Sequence, residues 1–536
     1  MAEMAVPWRH LRQTGAGATN LRQLLPLGNR LPPRRAAGLG IAPGPAPRRL
    51  DQALGADGMT AIAPADLDTD VCVVGGTLAG LMTALTLARQ GLDVILLERS
   101  LIAPAPQIGL LTGGLSLWLS EGTQPLSRES ARSAFDLSLE AMAGALSLFD
   151  ELGLDRLGRG LLRVGAAHET ARLDAEAEAR DMLGLLELRR WPRSEIAAIT
   201  GTERYVGATY EPHAIFYDAR DINGALLRAV MEAGVRVYQM TPVLAADLDG
   251  VRKYLQTPAG RVRADHVVLC AGRRAVRIAP WLAGALGVAP YVRGGFAVRA
   301  VRPDFSGLVA EPGPLGARFA PGIGELDFEA PVALMPGGEV GAAVALRRRA
   351  RQVYPELRRR IAEHAHAFSL DRAPHGLPLI GLRRQGLWYA AGLGGNALAN
   401  AALAAHVICD GIVARGGKIE ELAPLQPRYA YGLAGRAAAA VRFGWRRLSD
   451  SIAQARAERD PAGAADHTHA RFEPGISTAP AHPRRVDARQ AHGEQGAPIH
   501  AGHGPAGAAL AGEHHAGEVP SAPEGADGKG TPLRQA

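Results

Sequence analysis

The stretch from Asp70 to Ser100, DVCVVGGTLAGLMTALTLARQGLDVILLERS, constrains the fold more than any other part of the chain. An apolar strand leads through a glycine-rich turn into an amphipathic helix, and a second apolar strand then ends on an acid. That order is a βαβ unit of the Rossmann kind. Gly75 and Gly76 form the turn after the first strand, and Gly80 lets the helix pack close to the sheet. The helix N-terminus presents free backbone N–H groups and a positive dipole end to a pyrophosphate. Glu98, at the end of the second strand, stands where a carboxylate accepts hydrogen bonds from an adenosine ribose. Thr77 replaces the middle glycine of the G-x-G-x-x-G pattern, where a side chain either crowds the phosphates or donates a hydrogen bond to them. A dinucleotide site is expected; the plainer alternative is a glycine-rich turn in an ordinary α/β sheet.

Length and charge bound the rest. A chain of 536 residues suggests two or three structural units. The net charge of +7 lies entirely in the first 50 residues, which hold eight Arg and one acid, Glu3; beyond them basic and acidic side chains balance. The balanced body gives no reason to expect a nucleic-acid partner. With 47% hydrophobic residues the chain has the composition of an ordinary globular protein, and no stretch reaches the roughly 18 uninterrupted apolar residues of a membrane span. Cys72, Cys270 and Cys409 are far apart in apolar surroundings, as expected of buried free thiols in a cytoplasmic protein. Residues 1–66 read as a basic disordered extension, with a transit peptide as the alternative. Residues 460–536 read as a disordered tail rich in His, Pro, Gly and Ala. The eight His of that tail are irregularly spaced, so no metal site is expected.

Between these ends the pattern departs from regular β-α repeats. Phe135, Leu139, Met142, Leu146 and Phe149 mark the core-facing stripe of a long helix. Ile222 to Ala233 reads as a short amphipathic helix, followed by strands at Val235 to Tyr238 and Thr241 to Leu244. ADHVVLCAGRRA (Ala264 to Ala275) is an apolar strand running into Ala271-Gly272, and APHGLPLIGLRRQGLWYAAGLGG (Ala373 to Gly395) precedes a helix of small residues from Asn396 to Gly411. The arginine runs at 347–351 and 358–360 read as a solvated helix face, with Tyr354 and Ile361 together on the other face; an anion or membrane-surface patch is the alternative. Arg428 to Arg456 is a similar basic amphipathic segment, expected to be helical at about 428–456.

This set of segments resembles the D-amino-acid oxidase (DAO) superfamily of FAD-dependent oxidoreductases, which holds glycine oxidase, sarcosine oxidase and the γ-glutamylputrescine oxidases. The resemblance covers about residues 68–415. Tyr210 to Val243 and the Pro290-Tyr-Val-Arg-Gly-Gly stretch resemble the γ-glutamylputrescine oxidase-like branch in particular. It implies an α/β fold: an FAD-binding Rossmann-type domain with an inserted, mainly antiparallel β substrate domain. FAD-binding segments are expected at about 67–125, 205–285 and 370–415, and the substrate domain at about 140–204 and 286–365. By the same resemblance Gly75, Gly76, Thr77, Gly80 and Glu98 hold the ADP half of FAD. Val243 contacts the adenine through its backbone and Ala271-Gly272 passes by the dinucleotide. Gly392, Gly394, Gly395, Asn396 and Leu398 bring amides and a helix N-terminus toward the flavin, where a positive helix end favours the anionic reduced ring.

The chain departs from the family pattern at Thr77, in the loop GLLTGGLSL (Gly109 to Leu117), which lacks an arginine common in that branch, and at Phe216-Tyr-Asp-Ala, where members tend to carry H-L-H-P. Amine oxidation by a flavin requires a neutral amine and a C–H bond aimed at flavin N5, so positioning groups are sought rather than a triad. Candidates are Tyr210, His213 and Tyr217, which could orient or deprotonate an ammonium, and Arg293, which could face a carboxylate. The expected substrate is a small amine, amino acid or hydroxy acid, with O2 or an electron carrier as acceptor. Alternatives are a dehydrogenase of a 2-hydroxy acid or polyol, and a family member that binds FAD without turnover.

Overall fold

The structure, a computed structural model, describes residues 66–113, 128–175, 189–297, 305–312, 316–321, 325–373 and 376–423, less positions 172 and 415, with scattered positions from 425 to 452. Residues 1–65 of the basic extension, the His-rich tail and residues 114–117 of the altered loop lie outside the described residues.

The βαβ unit forms as its sequence dictates. Strand Leu67–Val74, helix Leu78–Arg89 and strand Val94–Leu97 follow one another, and the two strands pair in parallel with Val74 opposite Leu97. They lie within a sheet ordered Leu379–Arg384, Leu387–Ala391, Arg261–Leu269, Leu67–Val74, Val94–Leu97, Arg236–Tyr238. The last five of these strands run parallel, as βαβ crossovers require, and Leu379–Arg384 adds to the edge antiparallel. Val71 and Val73 face helices Leu78–Arg89, Ala219–Glu232 and Ala397–Cys409, whereas Cys72 and Val74 face the opposite core with Leu269 and Tyr389. Covering on both faces explains the unbroken apolar runs Val71 to Val74, Val94–Leu97 and Val267 to Leu269 in place of alternation.

Helix Arg128–Glu151 packs Phe149, Met142 and Ala145 into the first core, in keeping with its stripe. The helix of small residues is Ala397–Cys409, crossing Leu78–Arg89 closely because alanine and glycine leave room for the backbones. Although the stretch Gly394–Ala414 is long and apolar enough to cross a bilayer, it is mostly buried inside the fold. All three cysteines are free and buried. Thr241 to Leu244 is not a strand; its expected extended run instead turns beside Glu98, with the Thr241 amide donating to the Glu98 carbonyl, and the strand begins at Ala245.

A second sheet, mainly antiparallel, is ordered Glu363–Arg372, Gly287–Ala297, Glu325–Pro331, Arg318–Pro321, Leu308–Ala310, Arg156–Gly165, Gly207–Tyr217, Gly109–Leu111. Helix Gly338–Ala350 covers it with Ala342, Leu346 and Ala350, and Phe296, Phe319 and Phe328 fill the core beneath. The expected α/β architecture is therefore present, with two sheets of different character. Two strands fall across the expected boundaries: Gly109–Leu111 and Gly207–Tyr217 belong to the second sheet, because each pairs with the other and the latter also with Arg156–Gly165. Tyr354 and Ile361 do not share a face either. The helix ends at Ala350, so Tyr354 turns into the core while Ile361 stays outside.

Candidate functional site

Parallel strands leave their C-terminal ends in register, and the loops beyond them open a crevice. Here that crevice is a cavity of about 1700 Å³, well above the roughly 300–1,000 Å³ of an ordinary small-molecule pocket. One wall is the turn after the first strand, Val74 to Leu78, together with Glu98 and the Cys270 to Ile278 segment. The other wall comes from the second sheet and its flanks: Gly287 to Pro290, Pro331 to Met335 and Ser369 to Ala373. Gly392 to Gly394 and Ala397 close one part of it.

The turn is as tight as its glycines suggest. Gly75 has φ +113°, and a Cβ on it would lie 2.7 Å from the Ala271 amide nitrogen. A Cβ on Gly80 would meet the Gly75 carbonyl oxygen at 1.9 Å, so only glycine lets the helix start this close to the strand. Thr77 resolves the question its position raised. It is the N-cap of the helix, its Oγ accepting from the Gly80 amide at 3.3 Å and donating to the Cys270 carbonyl at 3.2 Å. The hydroxyl is thus committed to the protein backbone, and the first amides of the helix remain without an intrahelical acceptor.

Glu98 is buried at the strand end. Its Oε2 accepts from the Gly76 amide at 2.8 Å and its Oε1 from the Ser100 amide and hydroxyl at 3.0 and 2.8 Å, bonds that fix the carboxylate against the cavity wall. Five arginines line the cavity, Arg99, Arg273, Arg274, Arg277 and Arg372, against two carboxylates, Glu98 and Asp371. That excess suits a ligand with phosphate charges. Burial holds the Asp371 carboxyl above the ordinary carboxylate range, opposed by the Arg273 amide, which donates to its Oδ2 at 2.9 Å.

Of the residues expected to hold a dinucleotide, Gly75, Gly76, Thr77, Glu98, Val243, Ala271, Gly272, Gly392 and Gly394 all line this one cavity. Gly80, Gly395, Asn396 and Leu398 do not line it, although Leu78, Gly394 and Ala397, their neighbours in the chain, do. Arg318 donates to the Gly395 carbonyl at 2.5 Å and pairs with the buried Glu329, whose other oxygen accepts from the Ile108 amide at 2.7 Å. This braces the start of helix Ala397–Cys409 against the second sheet.

The four catalytic candidates do not line the cavity. Tyr217 is buried in the core, its ring edge-on to Phe149 at 5.1 Å, and burial pushes its hydroxyl up to about 12. Tyr210 and His213 are half-buried on the same strand, Tyr210 with its ring against Trp191. Arg293 is buried and committed to Asp327 through two hydrogen bonds, 3.1 and 2.7 Å, and to the carbonyls of Gln107 and Pro106. It holds the segment that lines the cavity instead of facing it. Among the arginines that do line the cavity, the one beside the Gly392–Gly394 turn is Arg372, bridged to Leu393, with its side chain about 4 Å from the site of a Cβ on Gly394. It stands immediately before the Ala373 to Gly395 stretch whose motif is legible.

Residues 70–411 match the family model described as DAO, FAD dependent oxidoreductase, and the chain belongs to that family. It is 26% identical over 215 residues to the probable oxidoreductase OrdL of Rhizobium meliloti (strain 1021), covering 39% of this chain and 50% of that protein. The chain therefore spans only about half the length of that relative. Glycine oxidase of Geobacillus kaustophilus (strain HTA426) is 25% identical over 378 residues, 66% of this chain and 95% of that enzyme. The crystal structure of glycine oxidase from Geobacillus kaustophilus superposes with a TM-score of 0.55 at 24% identity, over 68% of this chain and 99% of that one.

The family is FAD-dependent, and the residues present fit the group. The side-chain-free cradle at Gly75 and Gly80, the anchored Glu98 carboxylate and the arginine-rich wall match the needs of an adenine dinucleotide.

Proposed function

We propose that this chain takes hydride from the C–N bond of an amine or amino acid, giving an imine that hydrolyses to a carbonyl compound and ammonia or a smaller amine. Bound FAD supplies the hydride acceptor. The observation that carries the reading is the continuity of one cavity from the dinucleotide turn at Gly75 to the turn at Gly392–Gly394, with Arg372 beside the latter. An arginine there suits a substrate carboxylate through paired N–H donors. The N-terminal end of helix Ala397–Cys409 directs its positive dipole toward the same region, favouring negative charge nearby. The segments of the first sheet would hold FAD and those of the second the substrate, with O2 or an electron carrier as final acceptor. The narrower kinship to γ-glutamylputrescine oxidases rests on the Tyr210 to Val243 and Pro290 to Gly295 stretches alone.

The test is anaerobic mixing of the flavin-loaded protein with panels of amines, amino acids and 2-hydroxy acids, following flavin absorbance. Bleaching by an amino acid or amine is the expected result. Bleaching by hydroxy acids alone would replace the C–N reading with its C–O counterpart, and no bleaching by any donor would leave a flavin carrier without turnover.

A further inference from the structure

We infer that the rim of the cavity is a docking surface for an anionic lipid bilayer, a property independent of which substrate is oxidised. Two apolar surfaces, each in an arginine-rich stretch of the sequence, meet at that rim. The first is a helical segment at positions 434, 437, 438, 441, 445, 448 and 452. Ala437 and Ala438 line the cavity, and Val441, Trp445, Leu448 and Ile452 continue from them at steps of four, three and four residues. Such spacing makes one helix face, and a folded chain would ordinarily bury it. Instead Val441 is 72% and Trp445 70% exposed, with Leu448 and Ile452 also outside. Between 428 and 456 the sequence holds six arginines and one acid, Asp450.

The second surface starts at Leu334 and Met335, which line the same cavity yet are exposed, Leu334 at 75%. It continues along the outer face of helix Gly338–Ala350 through Val340, 80% exposed, Val344 and Arg348 to Arg351 just past its end, Arg349 between them being buried against Glu311, and ends at exposed Arg358, Arg359, Arg360 and Ile361. The other face of this helix packs Ala342 and Leu346 on the second sheet, so the outer face has no partner among the described residues. Beyond the first 50 residues the charges of the chain balance, so these arginines are a local segregation of positive charge, not a share of a general excess.

Charge decides the occupant. A nucleic acid would use the arginines but leave the aliphatic stripe in water, and a neutral protein face would use the stripe but not the arginines. The headgroup layer of an anionic bilayer takes both at once: apolar side chains and a tryptophan enter the acyl boundary while arginines meet the lipid phosphates. Docking in this pose turns the cavity mouth toward the membrane.

The experiment uses the full-length, flavin-loaded protein and vesicles of phosphatidylcholine with or without phosphatidylglycerol, read by co-sedimentation. Binding to the phosphatidylglycerol vesicles only, weakened by salt, is expected. Trp445→Ser should lower the partition coefficient about tenfold, and Arg348→Gln with Arg351→Gln about fivefold for each charge removed. Unchanged flavin content shows that the variants fold, since the altered side chains are exposed. Absence of binding, equal binding to both vesicle types, or binding unaffected by these substitutions would overturn the inference. So would a dimer in sedimentation velocity that Trp445→Ser dissolves, which would assign the stripe to a second copy of the chain.

Discussion

Asp371 stands where the two walls of the cavity meet, on a strand of the second sheet but bonded to the Arg273 amide that follows the first. Burial is the main reason its carboxyl is raised, and the folded chain therefore holds this proton to higher pH than the unfolded chain does. Its favourable contribution is complete below the unfolded pKa and is lost as the pH rises through the folded value. Asp371→Asn keeps an oxygen for the Arg273 amide and removes the charge. The variant should melt at a higher temperature than the parent at neutral pH, with the gap closing as the pH falls and the parent carboxyl takes up its proton; calorimetry across pH checks it, and a lower melting temperature at pH 7 would contradict it. Asp371 and Arg372 escaped sequence reading because a charged dipeptide ahead of a motif carries no signal of its own. Arg293 escaped in the opposite sense. It reads in the sequence as a residue that could face a ligand carboxylate, but its partners, Asp327 and the carbonyls of Pro106 and Gln107, are remote in sequence and only the folded sheet brings them together.

Among the elements, the βαβ unit was the most legible because all its determinants are local: strand, turn, helix and acid lie within one short stretch. The bond that Thr77 makes to Cys270 was beyond reach, since it spans 193 residues. Read with that bond, the departure from glycine is a helix cap and not an obstacle to phosphate. Thr77→Ala should cost about 1 kcal/mol of stability by removing the cap, whereas Thr77→Gly should cost only a few tenths, because glycine is itself tolerated at an N-cap. Chemical denaturation separates the two, and FAD retained by the glycine variant is the expected companion result. Equal losses for both would show that the hydroxyl caps nothing. The stripe of helix Arg128–Glu151 and the small-residue run of helix Ala397–Cys409 were readable for the same local reason, whereas Thr241 to Leu244, apolar enough for a strand, is diverted by pairing with Glu98.

For the whole molecule, the presence of two sheets could be expected but not their boundaries. Strand Gly207–Tyr217 belongs to the second sheet through partners on Gly109–Leu111 and Arg156–Gly165, and antiparallel pairings over such separations leave no local trace. That assembly makes the cavity, since one wall comes from the parallel sheet and the other from its neighbour. The activity of the protein therefore depends on whether the crevice at Gly75, Glu98 and Ala271 holds a flavin dinucleotide. The direct measurement is the visible spectrum of the purified full-length protein, with FAD released by denaturation and quantified, and uptake followed by titration where the isolated protein is depleted. One FAD per chain, sharply reduced when Gly80→Ala forces a Cβ against the Gly75 carbonyl, is the predicted result. A folded, colourless protein that takes up no added FAD would contradict the account.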